Sequence, residues 1–112
     1  MSTATERIAV LRRARELIAT GWAQGWYARS INGRRARVSS PKATSFCILG
    51  AISLASDEVS PAGYDLYIRT VTQVGGFVSD RDVAGWNDAP ERTQADVLAL
   101  LDSLIEDAEV AA

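Results

Sequence analysis

Residues 86–108 are WNDAPERTQADVLALLDSLIEDA, in which a polar turn leads directly into an amphipathic pattern. Thr93 and Asp96 have the spacing of a capping box, in which each side chain accepts a hydrogen bond from the other residue's backbone N–H. Apolar residues then recur at helical spacing, and the predicted buried stripe is Val97, Leu98, Leu101, Leu104, Ile105 and Ala108. The sequence therefore predicts a C-terminal helix with one face against a core.

The N-terminal part of the chain has the same periodicity. Apolar residues from Ile8 to Ile18 predict a first helix that ends near Thr20, and Gly21 suits a left-handed cap there. Ser40-Pro41 has the pattern of an N-cap followed by the favoured first helical residue, and predicts a central helix from Pro41 to about Ser56.

The same start signal recurs at Ser60-Pro61. Apolar residues spaced from Tyr64 to Val74 predict a third helix there, and Gly75-Gly76 would end it. One short turn is predicted for residues 79–84.

A short β-hairpin is predicted at about residues 27–38. Asn32-Gly33 is the dipeptide that best tolerates the positive φ angles of a type I′ turn. Pairing across that turn would place Tyr27, Ile31, Ala36 and Val38 on one face, and Ser30, Arg35 and Arg37 on the other. The predicted fold is mainly α, a compact bundle of about four helices with one short β-hairpin, forming a single globular domain over residues 1–112.

Composition excludes several classes of protein. The 112 residues are 47% hydrophobic and 23% charged, and no window approaches the ~18 uncharged apolar residues of a membrane span. The first residues also lack a basic segment followed by an apolar run, so a cytoplasmic location is expected. Cys47 is the single cysteine and histidine is absent, which excludes an internal disulfide, zinc sites and Ser-His or Cys-His catalysis. No metal and no cofactor are predicted.

Charge is distributed unevenly along the chain. Residues 1–42 contain nine Arg and Lys against two Glu, whereas residues 43–112 contain three Arg against twelve acids. Such a split can mark separate interaction surfaces, but in a compact domain the two halves can also pair with each other. Mutual pairing is the favoured interpretation.

Cys47 is the first candidate functional residue, because a lone cysteine can be a nucleophile when a cation or a helix N-terminus lowers its pKa. It lies between Phe46 and Ile48, within the predicted central helix and without a histidine to accept its proton. A buried packing cysteine is the favoured interpretation.

The turn before the last helix is the second candidate. It brings Asn87, Asp88 and Arg92 close to Trp86, and such a cluster could bind a ligand or a partner. In the favoured structural alternative, Asn87 and Asp88 bond to their own turn and Arg92 neutralises Asp88 or Asp96.

Two charged surfaces are the remaining candidates. The hairpin contributes a basic patch that could contact phosphates, although its tip lacks aromatic residues for base stacking; the patch is Arg34, Arg35, Arg37 and Lys42. The last helix contributes an acidic surface that could imitate a phosphate backbone; its residues are Asp96, Asp102, Glu106 and Asp107. A solvated or acid-paired face is the favoured interpretation of the basic patch, and a charged solvent face that needs no partner is the favoured interpretation of the acidic surface.

Four segments together resemble a family of small bacterial and phage proteins of unknown function. They are Gly21-Trp22 after the first helix, the Asn32-Gly33 turn, the Phe-Cys-x-x-Gly-Ala pattern at residues 46–51, and Trp-Asn-Asp-x-x-x-Arg-Thr at residues 86–93. The resemblance spans nearly the whole chain and supports the predicted fold. It implies an association with phages or mobile elements and transfers no catalytic residue.

These observations favour a non-enzymatic cytoplasmic protein that acts by binding another macromolecule, with a protein as the expected partner and direct nucleic-acid binding not expected. One concrete version is a phage or mobile-element inhibitor that presents its acidic helical surface to a host nucleic-acid-binding complex. Two alternatives remain open. One is a small enzyme or ligand sensor that uses Cys47 or the Asn87, Asp88 and Arg92 cluster, and the other is a structural homodimer with an exposed tryptophan at the contact.

Overall fold

Four helices and a small sheet form the part of the chain that the computed structural model describes, which comprises residues 4–60, 67, 70 and 80–111. The helices are α1 (Ala4–Thr20), α2 (Ile48–Val59), α3 (Asp80–Asn87) and α4 (Gln94–Ala111). The strands are β1 (Ala28–Arg29), β2 (Arg35–Ala36) and β3 (Ser45–Phe46), in the sheet order β2-β1-β3 with both pairs antiparallel. The predicted mainly α fold with a short hairpin is confirmed.

The core lies where α1 packs against α2 and α4. The largest fully buried side chains include Val10 and Ile18 from α1, Ile52 from α2, and Val97 and Leu101 from α4. The other residues of the predicted α4 stripe are half-buried and pack against this core. Burial of apolar side chains is the main favourable contribution to the stability of such a bundle.

The start of α4 is the predicted capping box. The Thr93 N–H donates to Asp96 Oδ2 at 3.0 Å, and the Asp96 N–H donates to Thr93 Oγ1 at 3.2 Å. Two backbone groups that a helix N-terminus leaves without partners are thereby satisfied. Gln94 adds a tertiary contact, because its Nε2 donates to the C=O of Ile18 at 2.7 Å.

The prediction for the start of the central helix was wrong. The helix begins at Ile48 rather than at Pro41, because residues 45–46 pair with β1 as a strand. Ser40 Oγ accepts a hydrogen bond from the Lys42 N–H at 3.1 Å, so Ser40-Pro41 forms a local turn. The N-cap is Cys47, whose Sγ accepts from the Gly50 N–H at 3.3 Å.

The hairpin has a different loop from the predicted one. Of the two residues predicted to form the turn, Gly33 has a positive φ, of 78°, whereas Asn32 does not, and the Gly33 N–H donates to the Ser30 C=O at 2.9 Å. A three-residue loop ending in a left-handed glycine therefore replaces the two-residue type I′ turn. Ala28 lies opposite Ala36, one residue out of the predicted register, and such a slip moves the side chains of one strand to the opposite face relative to its partner, so that Tyr27 shares a face with Arg35 instead of Ala36.

Gly21 also has a role other than the predicted one. Its φ is not positive, so it is not a left-handed cap. A Cβ at this position would collide with the Thr44 carbonyl oxygen, since the backbone of Gly21 lies directly against the start of β3. The Phe46 N–H donates to the Gly21 C=O at 2.9 Å, which fixes this close contact.

Two predictions concern the segment between α2 and α4. The predicted third helix falls mostly outside the described residues, within which Tyr67 and Thr70 are helical. The turn predicted at residues 79–84 is a longer helix, α3, which continues to Asn87 because fully buried Val83 anchors it to the core. In the described part of the chain, no helix is both long and apolar enough to cross a membrane.

Exposed ion pairs join α1 to the acidic part of the chain. Arg12 pairs with Glu109 at 2.7 Å, Arg13 pairs with Glu58 at 2.7 Å, and Arg15 pairs with Asp102. Each exposed pair contributes at most about 1 kcal/mol. They show that part of the charge asymmetry is resolved within the fold.

Substitution of Gly50 tests how closely α2 packs against the chain at the start of β1. A Cβ there would collide with the Tyr27 carbonyl oxygen, so Gly50→Ala should destabilise the protein by about 1–3 kcal/mol in urea unfolding. Gly85→Ala is the matched control, because that helical glycine has open space around it and alanine should stabilise α3 by up to about 1 kcal/mol. Equal effects of the two substitutions would contradict this packing.

Candidate functional site

The side chain of Asn87 is completely buried at the end of α3. Its Oδ1 accepts from the Trp22 indole N–H at 2.9 Å and from the Ile48 backbone N–H at 3.0 Å. Its Nδ2 donates to the Ala23 C=O at 3.1 Å and to Asp88 Oδ1 at 2.9 Å. These four bonds use both donors and both acceptor positions of the amide.

A second set of bonds ties the same turn to the segment after α1. Gln24 Nε2 donates to the carbonyl oxygens of Asn87 and Ala89, both at 3.0 Å. Asp88 Oδ1 accepts from the Gly25 N–H at 3.0 Å. Gly25 has a φ of 81°, which glycine adopts without strain, and the chain turns there toward Trp26.

Arg92 has partners other than the two acids predicted for it. Its Nε donates to the Trp86 C=O at 2.8 Å, and its guanidinium lies 4.1 Å from the centre of the Trp86 ring. Asp88 and Asp96 are engaged by backbone N–H groups of Gly25 and Thr93, so the arginine stacks on the aromatic ring instead.

The candidate cluster therefore divides into separate parts. Asn87 points into the core, Asp88 binds the backbone of the Gly25 turn, and Arg92 lies against Trp86. These contacts form a clamp between α3 and the segment that precedes β1. We name residues 86–89 together with residues 22–25 the Asn87 clamp.

Cys47 is buried, with 6% of its surface exposed, and caps α2 instead of lying within it. Burial raises the pKa of the thiol above its ordinary value, although backbone N–H groups at the helix start oppose the shift. The protonated thiol is a poor nucleophile, so this environment does not activate Cys47 for catalysis.

The hairpin presents a surface of a different kind. Trp26 and Tyr27 are 39% and 46% exposed, and their rings meet edge to face at 5.5 Å between centres. The guanidinium of Arg35 lies 4.3 Å from the centre of the Trp26 ring. We name the six residues Trp26, Tyr27, Arg34, Arg35, Arg37 and Lys42 the hairpin surface.

Sequence reasoning missed the aromatic part of this surface. The tip of the hairpin lacks aromatics, as predicted, and Ile31 occupies it with 85% exposure. The aromatic residues lie at the base of the hairpin. In the observed register Arg29 lies opposite Arg35, so their side chains are on the same face of the sheet. Because side chains alternate between the two faces along a strand, Tyr27 lies on that same outward face. The Trp26-Tyr27 pair directly before a basic strand is the signal that indicates such a surface.

The basic side chains of the hairpin surface lack the ion pairs that Arg12, Arg13 and Arg15 of α1 form. Within the described residues, no carboxylate pairs with Arg34, Arg35, Arg37 or Lys42. On the acidic surface, by contrast, Asp102 pairs with Arg15 and Asp96 belongs to the capping box. Glu106 and Asp107 are exposed at the far end of α4.

The backbone beneath the hairpin surface is held from several sides. The Tyr27 C=O accepts from the Cys47 N–H at 3.1 Å at the start of α2. Arg29 braces the loop, because its Nε donates to the Gln24 C=O at 3.1 Å and its Nη1 donates to the Gly33 C=O at 2.9 Å. The surface is thus presented by an ordered backbone.

A family model matches residues 2–107 of this chain, which is nearly its whole length. The chain belongs to DUF6197, a family of unknown function. No curated protein and no solved structure matches the chain. The family assignment confirms the resemblance to a family of unknown function and assigns no activity to the DUF6197 domain.

Asn87→Ala tests the clamp of the DUF6197 domain. The substitution leaves the Trp22 indole N–H, the Ile48 N–H and the Ala23 C=O without their partner, so the free energy of unfolding should fall by about 3 kcal/mol. Asn32→Ala in the exposed hairpin loop is the control and should change it by less than about 0.5 kcal/mol. A loss at Asn87 no larger than that at Asn32 would refute the structural role.

The raised pKa of Cys47 in the DUF6197 domain gives a second test. Because the unfolded chain releases the thiol proton at a lower pH than the folded one, this group's contribution to stability is constant below about pH 8.5 and declines as pH rises above it. A thiol reagent at pH 8 should react far more slowly with folded protein than with protein in denaturant. Comparable rates in the two states would show a reactive, accessible cysteine.

Proposed function

We propose that this protein is a non-enzymatic cytoplasmic domain that binds an acidic partner protein through the hairpin surface. The observation that carries the proposal is the contrast between two sets of basic residues. Arg12, Arg13 and Arg15 of α1 are paired with acids of α2 and α4, whereas Arg34, Arg35 and Arg37 of the hairpin lack carboxylate partners within the described residues. The hairpin charges therefore remain available to an acidic partner.

The residue types of the hairpin surface suit a protein interface. Tryptophan, tyrosine and arginine are the residues that contribute most to binding energy in protein–protein contacts. Here Trp26 contacts both Tyr27 and Arg35, and all three are exposed, so a partner would cover them without rearranging the core.

A protein partner fits these features better than a nucleic acid does. The whole chain carries a net charge of −2 and has a pI of about 5.0, whereas nucleic-acid-binding domains are usually strongly basic. Arg35 covers one face of Trp26, and the two aromatic rings are inclined by 71°, so they do not form a parallel stacking platform.

The acidic surface supports a different version of macromolecular binding, in which a phage or mobile-element protein inhibits a basic host complex. Exposed Glu106 and Asp107 support it, but ion pairing with Arg15 reduces the charge that Asp102 offers to a partner. For an enzyme or ligand sensor, the buried Cys47 and the internally bonded Asn87 offer little support. A homodimer would use Trp26, since Trp22 and Trp86 are half-buried.

Charge reversal tests the proposed function, with fluorescent poly-L-glutamate as the probe. Arg34→Glu and Arg37→Glu should each weaken binding by about threefold or more, and wild-type affinity should fall as salt rises. Arg81→Glu on α3 is the matched control, because it changes the net charge equally at an exposed site away from the hairpin, and should leave the affinity unchanged.

Two results would contradict the proposal. Equal affinity of all three variants would show that the hairpin is not the binding surface. Tighter binding of a single-stranded oligonucleotide than of poly-L-glutamate, with loss in the hairpin variants, would assign the surface to nucleic acid instead.

A further inference from the structure

Two grooves of similar size flank the hairpin, and their linings differ. The first, which we name the aromatic groove, has a volume of about 570 Å³ and is lined by Trp26, Tyr27, Arg35, Arg37, Val38 and Ser53 among others. The second, the polar groove, has a volume of about 550 Å³ and is lined mainly by hydroxyl, amide and basic side chains around Ile31. Both volumes are typical of ligand-binding clefts.

The aromatic groove has an apolar interior and a basic rim. Trp26 and Tyr27 form one wall, half-buried Val38 contributes to the lining from the strand side, and Ser53 of α2 also borders it. Arg35 and Arg37 are exposed beside these side chains. An apolar side chain placed here would lose contact with water, while flanking carboxylates could reach the two guanidinium groups.

We propose that the aromatic groove receives an apolar anchor side chain from an acidic segment of the partner protein, with carboxylates beside the anchor pairing with Arg35 and Arg37. This inference rests on the proposed function and specifies the chemistry of the partner. An aliphatic anchor side chain packs against the apolar walls of the groove, and the basic rim favours acidic residues on either side of the anchor.

The polar groove shares Arg35 and Ala36 with the aromatic groove but has no aromatic residue in its lining. Its other lining residues include Ser40, Lys42 and Thr44, and its largest apolar residue, Ile31, projects into solvent at the tip with 85% exposure. It therefore offers no aromatic wall against which an apolar anchor could pack. Specificity for the anchor is assigned to the aromatic groove alone.

Binding of two short peptides of equal charge tests the anchor, measured by fluorescence anisotropy on the full chain. One peptide has a leucine flanked on both sides by glutamates, and the other has serine in place of the leucine. The leucine peptide should bind about tenfold more tightly, because burial in the aromatic groove adds the transfer free energy of the leucine side chain.

Tyr27→Ala should reduce the affinity of the leucine peptide by about fivefold and that of the serine peptide by much less, so that the preference for leucine falls. Ile31→Ala is the matched control in the polar groove and should change neither affinity. The Tyr27 side chain is 46% exposed and its backbone bond to Cys47 is retained, so the variant should fold. Circular dichroism of both variants checks that they do.

The outcomes separate this inference from the proposed function. Equal binding of the two peptides, weakened by Arg37→Glu, would overturn the anchor and keep the acidic partner. Absence of binding by either peptide, together with no binding of poly-L-glutamate, would overturn both. A single-stranded oligonucleotide that displaces the leucine peptide and binds more tightly would also overturn the anchor.

Discussion

The buried amide of Asn87 holds three separate parts of the chain together, namely α3, the segment after α1 and the start of α2. It is hydrogen-bonded to the Trp22 indole and the Ala23 backbone in the segment after α1, and to the Ile48 N–H at the start of α2. Because a buried amide without partners costs free energy, the site forms only when all three segments are in place. The short helix α3 is thereby coupled both to the end of α1 and to the start of α2.

The hairpin surface is a consequence of this clamp. Asp88 and Gln24 extend the clamp to the Gly25 turn, from which the chain enters β1 with Trp26 and Tyr27 exposed. The start of α2 then holds the Tyr27 backbone from the other side. The charges divide in the same way, since Arg12, Arg13 and Arg15 of α1 are paired with acids of α2 and α4, whereas Arg34, Arg35 and Arg37 have no carboxylate partner among the described residues. The most distinctive segment of the sequence thus supports the candidate site without being part of the hairpin surface.

Sequence patterns correctly predicted the secondary-structure elements that depend on residues close together in the chain. The capping box at Thr93 and the apolar periodicities of α1 and α4 depend on residues a few positions apart, so they were visible in the sequence. The start of α2 was not, because a strand pairing with β1 and a thiol cap at Cys47 override the Ser-Pro signal. One extra residue in the Gly33 loop shifted the pairing of β1 with β2 and placed Tyr27 on the face of Arg35, so the aromatic groove was not predicted. The inward hydrogen bonds of Asn87 join residues far apart in the sequence, and the spacing of residues within the turn does not reveal them.

Hydrogen exchange at two N–H groups tests the clamp most directly. The Ile48 amide is at the first position of a helix, where such groups ordinarily have no partner in the helix, and the Trp22 indole belongs to a half-buried side chain. Because both donate to Asn87 Oδ1, they should exchange as slowly as core amides of α1, while the indole of exposed Trp26 exchanges fast. Exchange of the Ile48 amide and the Trp22 indole at the rate of the Trp26 indole would contradict the account.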